Sequence, residues 1–160
     1  MKIASLSQLK KELSNLPPVE VISICLRIVK HKKENKELLH YLLLEADNED
    51  SYVDAIKEDI SEGFENINKS NHYWAMKSIR KILRSLNKFI RFSGKKESEV
   101  ELRLFFCKKI LSSGLRLEYG ALRNLYLRQI SLIEKAISVL HEDLQFDFEA
   151  DLREIRLDEG

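Results

Sequence analysis

Apolar residues recur at intervals of three and four along almost the whole chain, which is the repeat of a helix face and not the alternation of a strand. The first such segment opens at Ser5 with Gln8 three residues on, the spacing at which a serine caps the first turn and a glutamine reaches back to it. It stops before Pro17-Pro18. Those prolines suit the opening of a second helix over about 19–31, because a first-turn residue needs no N–H partner. There Glu20, Ser23, Arg27 and Lys30 form a narrow polar stripe, and Val19, Val21, Ile22, Ile24, Cys25, Leu26, Ile28 and Val29 fill the rest of the surface. A helix apolar over most of its circumference is expected at the centre of a fold, largely buried.

The same reading gives a helix over about 34–46 after the basic connection His31-Lys32-Lys33, and another over about 50–67 after the polar cluster Asp47–Asp50. Asn66, Asn68, Ser70 and Asn71 break the pattern before a strongly amphipathic helix over about 72–92, which Ser93-Gly94 closes. A sixth helix covers about 98–113 with Gly114 as its cap. The stretch 117–145 reads as one helix about 43 Å long, bent near Gly120. The expected architecture is all-α, with six to eight helices in an irregular bundle or a short stack of antiparallel helical hairpins. Residues 1–146 form a single domain in this reading, with the 19–31 and 117–145 helices supplying much of its core. Residues 147–160 form an acidic C-terminal segment, either a short helix docked by Phe148, Leu152 and Ile155 or a frayed tail. Two KKE triplets, starting at Lys32 and Lys95, each join a pair of helices; two copies are fewer than a solenoid needs, so shared turn chemistry explains them better than a repeat.

Composition agrees with a compact water-borne domain: of 160 residues, 44% are hydrophobic and 33% charged, and only five glycines and two prolines serve tight turns. Collagen, disorder and a disulfide scaffold are excluded. The two cysteines, Cys25 and Cys107, sit in apolar helical contexts far apart, which suits a reducing compartment. No apolar run has signal-peptide or membrane-span length, and the expected location is cytoplasmic.

Charge changes the picture more than composition does. The net charge is +1, yet residues 1–44 carry +4, 45–65 carry −8, 66–96 carry +9, 97–141 carry +2 and 142–160 carry −6. In the 72–92 helix Lys77, Arg80, Lys81, Arg84, Lys88 and Arg91 fall within an arc of about 100°. Tyr73 lies in that arc, Trp74 and Phe92 flank it, and Ala75, Ile79, Ile82, Leu83, Leu86 and Ile90 form the opposite, docking face. The helix before it gathers Asp47, Asp50, Asp54, Glu58, Glu62 and Glu65 on one side, opposite Ile56, Ile60 and Ile67. Each stripe thus lies opposite its own buried face, so in a hairpin only their edges meet and mutual neutralisation is incomplete. Cations ranged beside aromatics are what phosphate contact and base stacking need. The acidic segments would repel the same phosphates, which places nucleic acid second to a protein partner.

No catalytic constellation emerges. Glu37-x-x-His40 has the spacing of a di-iron half-motif without the second copy that such a centre requires. His31 sits among lysines, His72 opens a helix, and His141 stands seven residues after Glu134 and beside Glu142 and Asp143. Cys107 has Lys108 and Lys109 beside it but no identifiable base, and Cys25 and Cys107 both read as packed thiols. There is no phosphate-cradling glycine loop, nucleophile elbow or paired-histidine zinc motif, and no cofactor or metal is expected.

The opening stretch LSQLKKELSNLPPVEVISICLRIVKHKKENKELLHYLL resembles the N-terminal part of a family of small, uncharacterised all-helical bacterial proteins, a domain of unknown function. That resemblance implies an all-α fold and no catalytic residues to carry over. The expected role is that of a noncatalytic helical interaction module or scaffold with segregated acidic and basic faces, binding an unknown protein partner or a second copy. The alternative is a nucleic-acid-binding accessory protein using the basic face.

Overall fold

The computed structural model describes residues 1–157, and every regular element among them is helical. The end of the expected acidic segment, 158–160, lies outside the described residues. Where the sequence led to one domain over 1–146, the chain divides into two compact units between Leu44 and Glu45.

The first unit holds α1 (Leu6–Ser14), α2 (Pro18–His31) and α3 (Lys33–His40), and a π-type turn over Tyr41–Glu45 runs on from α3 to the boundary. The expected capping box is present: the Ser5 hydroxyl accepts from the Gln8 N–H at 3.3 Å, and the Gln8 side-chain carbonyl accepts from the Ser5 N–H at 2.9 Å. Proline opens α2 as expected, and Lys32, in extended conformation, separates it from α3. The burial expected of α2 is not found. None of its residues is buried, and Val19 is 76% exposed, Ile22 58% and Leu26 50%. Within this unit α2 packs chiefly on α3, which is only eight residues long and covers too little of it.

The second unit holds α4 (Glu49–Glu65), α5 (His72–Ser93), α6 (Lys96–Ser112), α7 (Ala121–Ile137) and α8 (Glu142–Ile155). Its centre is α6, which touches all four other helices and buries Val100, Leu102, Leu104, Phe106, Cys107 and Ile110. Apolar residues on every side of α6 are therefore used, as a central helix requires. Gly94, at φ +66°, caps α5 in the left-handed conformation that a glycine adopts without a Cβ penalty. Helices α4 and α5 approach closely at Gly63, where a Cβ would stand 2.9 Å from Cγ1 of Ile82.

The expected single helix over 117–145 is instead the end of a loop, α7, a break and the start of α8. Gln145 stabilises the break by donating to the backbone carbonyls of Leu140 at 2.7 Å and Ser138 at 3.4 Å, and the His141 ring accepts from the Asp143 N–H to cap α8. The break lets α8 turn back on the core, where Leu152 and Ile155 are buried and the Tyr126 hydroxyl donates to the Ile155 carbonyl. Residues 147–155 are thus docked helix.

Two polar ties hold this unit together. Glu49 receives hydrogen bonds from the Ser93 and Ser98 hydroxyls and lies 3.4 Å from the Lys95 ammonium, joining the start of α4 to the α5–α6 turn. Buried Arg103 donates to Glu99 at 3.0 Å, to Gln129 at 2.7 Å and to Asn87 at 3.0 Å, linking α5, α6 and α7. Burial pushes the Glu99 pKa up, but hydrogen bonds and charge from Lys96 and Arg103 outweigh it and hold the carboxyl below its usual value of 4.5.

Candidate functional site

Helix α5 owes its exposed cationic face to an apolar face that the core consumes. Ala75, Met76, Ile79, Leu86 and Ile90 are buried, which turns Lys77, Arg80, Lys81, Arg84 and Arg91 to solvent and leaves Lys88 half-buried. Among the described residues no carboxylate lies within ion-pair distance of Lys77, Arg80, Lys81 or Arg84. Four cations in successive turns therefore share one water-exposed surface, whose field adds at distances shorter than a Debye length. Tyr73 and Trp74 are exposed at its start, their rings edge to face at 5.2 Å, and the Lys77 ammonium sits 4.9 Å from the Trp74 ring centroid. The Lys88 ammonium lies 4.9 Å from the Phe89 ring centroid.

The acidic face is equally open. Tyr52, Val53, Ile56 and Ile60 bury the inner side of α4, so Asp50, Asp54, Glu58, Glu62 and Glu65, together with Asp47 just before the helix, face water. Asp54 alone of the five helical acids has an ion pair, 3.9 Å from Lys57, among the described residues. The two stripes share a groove of about 420 Å³ between α4 and α5. Ile56, Ile60 and Leu86 line its apolar part, and Asp59, Glu62 and Lys81 share it without an ion pair between them. Incomplete neutralisation thus follows from each helix docking by the side opposite its charge.

Next to it along α4, an open basin of about 610 Å³ gathers Asp54, Glu58, Glu62 and Glu65 with Phe105 of α6. The sequence reading did not single out this aromatic or the cations about it: Lys57 is 5.9 Å and Lys109 is 5.3 Å from its ring centroid, and Lys57 is also paired with Glu101. Its signal in the sequence was the doublet Phe105-Phe106, of which helical geometry can send only one member to the same core face.

The chemical candidates are dispersed. Cys107 is fully buried, and desolvation pushes its thiol up to about 12 despite the Arg103 charge, the reverse of an activated nucleophile. Cys25 is exposed on α2. His141 is engaged as the cap of α8, Glu134 pairs with Arg156 at 2.9 Å, and Lys108 turns away to Asp151 and Glu154 at 3.1 and 3.4 Å. The hydrogen bond from Lys108 to Asp151, aided by Glu154, raises the ammonium pKa. Glu37 lies 3.9 Å from Lys33, and no group of three His, Cys, Asp or Glu side chains among the described residues is arranged to hold a metal ion. No described helix is long and apolar enough to cross a membrane. The chain matches no protein-family model, no curated protein and no solved structure.

Proposed function

We propose that this protein is a noncatalytic helical interaction module, in which the cationic face of α5 and the acidic face of α4 are docking surfaces for oppositely charged protein, a second copy of this chain included. The carrying observation is the row formed by Lys77, Arg80, Lys81 and Arg84, exposed and without carboxylate partners among the described residues. Such a row creates complementarity and fast encounter, and the well-packed second unit presents it on a rigid support. Light scattering coupled to size exclusion tests the reading at low and high salt. The charged faces are expected to add association that high salt removes and that is lost when Lys81, Arg84 and Lys88 are changed to Glu; salt-labile association that survives this triple substitution refutes the reading.

The exposed Tyr73–Trp74 pair beside Lys77 supports nucleic acid as the alternative ligand. In that case a mixed-sequence oligonucleotide shifts the protein at low salt, binding falls steeply as salt rises, and the same triple variant abolishes it.

A further inference from the structure

A second surface, independent of the charged faces, lies in the first unit. Of residues 1–44 only Tyr41 is buried, although the segment is rich in Leu, Ile and Val. Twelve such side chains between Leu6 and Leu44 each leave more than a third of their surface open, together on the order of 1,000 Å². Monomers leave patches of roughly 300–600 Å², and a stable dimer buries about 800 Å² per partner. Summed over the faces of this unit, eight of the twelve side chains being on α1 and α2, the open apolar surface is of the order that a stable dimer buries on each partner.

The spacing of these residues identifies the kind of cover they need. Leu6, Leu9 and Leu13 on α1, with half-buried Leu16 just beyond its end, follow intervals of three, four and three, and exposed Val19, Ile22 and Leu26 on α2, with half-buried Val29, repeat the same intervals. Those are the a and d positions of a heptad, a seam that another helix fills with knobs in holes. The flanking polar positions of α2 mix signs, Glu20 with Arg27 and Lys30, and α3 sets Lys33 beside Glu37. A mixed-sign rim around an apolar seam fits a protein helix, whereas a lipid surface favours a uniformly cationic rim.

We propose that α1 and α2 form a self-association element, in which the seams of one chain are covered by those of a second copy. Apolar burial drives this pairing, so it does not rest on the charged-face reading and has the opposite salt behaviour. The exposed thiol of Cys25 lies beside Ile22 and Leu26 on α2, and its only companion, Cys107, is buried with its pKa raised to about 12. Maleimide labelling of the native protein therefore reads the seam alone.

The test combines size exclusion with light scattering of the full chain, at 1–100 µM and at low and 1 M salt, with Cys25 labelling on the same samples. The expected result is a species of twice 18.8 kDa that persists in 1 M salt, with Cys25 labelling at least tenfold slower at the upper concentration than at the lower. Ile22→Glu combined with Leu26→Glu changes exposed positions only; circular dichroism should stay that of a folded helical protein while the dimer and the protection of Cys25 are both lost. A monomer in 1 M salt at every concentration overturns the proposal, as does a salt-resistant dimer that retains its mass in the double variant. Binding of the monomer to anionic phosphatidylglycerol vesicles, with loss of binding in the double variant, would assign the surface to lipid and overturn it equally.

Discussion

Arg103→Met removes the guanidinium that joins Glu99, Gln129 and Asn87 while keeping a side chain of similar length in the core. Glu99 retains the Lys96 ammonium at 2.6 Å, but Lys96 is half exposed and reaches only one of the carboxylate's sides. The side-chain carbonyl of Gln129, itself buried, loses the donor it accepts from. Breaking one partner of a buried ion pair costs about 3–5 kcal/mol, a fifth or more of the roughly 5–15 kcal/mol that stabilises a typical domain. For a chain of this size that corresponds to a fall in Tm on the order of 10 °C. The assay is urea unfolding followed by circular dichroism at pH 7 and again near pH 3. The depressed folded-state pKa of Glu99 means that its pairing contributes fully above the ordinary value of 4.5 and is lost as pH falls through the folded-state value. The cost of Arg103→Met therefore shrinks in acid. Glu99→Gln combined with Arg103→Met should recover part of the loss at pH 7, because no buried carboxylate is left with half its partners. A cost below about 1 kcal/mol at pH 7, or one that is the same at both pH values, would refute the reasoning.

Two further perturbations probe the fold. Native protein at low concentration should label at one thiol per chain and unfolded protein at two, since Cys107 is both inaccessible and held protonated; rapid labelling of both in the native state contradicts the burial of α6. Gly94→Ala places a Cβ at φ +66° and should cost about 1 kcal/mol by urea titration, with the α5–α6 turn otherwise open enough to admit a methyl group; no measurable loss would show that the turn relaxes.

Local chemistry made the helices legible. The Ser5–Gln8 box, the prolines before α2, and the glycines at 94 and 114 mark starts and stops that act within a few residues, so a linear reading suffices to find them. The charged stripes were legible for the same reason: an apolar face on α4 or α5 determines the opposite face by helical geometry alone, and the structure places Lys77 to Arg91 and Asp50 to Glu65 on those outer sides. The break after α7 was not, because no proline or glycine marks 138–141; it depends on Gln145 reaching back to two carbonyls and on a docking site for Leu152 and Ile155.

The identity of the central helix shows most clearly what the sequence by itself cannot determine. Helices α2 and α6 are both apolar around most of their circumference, yet every residue of α2 stays unburied while α6 buries nine of its own. Helical periodicity reports which surfaces of an element avoid water, not which neighbour is present to cover them. That choice is made by contacts distant in sequence: α4, α5, α7 and α8 converge on α6, and Arg103 on α6 finds acceptors on α5 and α7, Asn87 and buried Gln129. The sequence determined an all-helical chain with segregated charge, because capping and amphipathicity are local; the tertiary structure decided which apolar helix became core, because burial belongs to the set of neighbours and not to the helix.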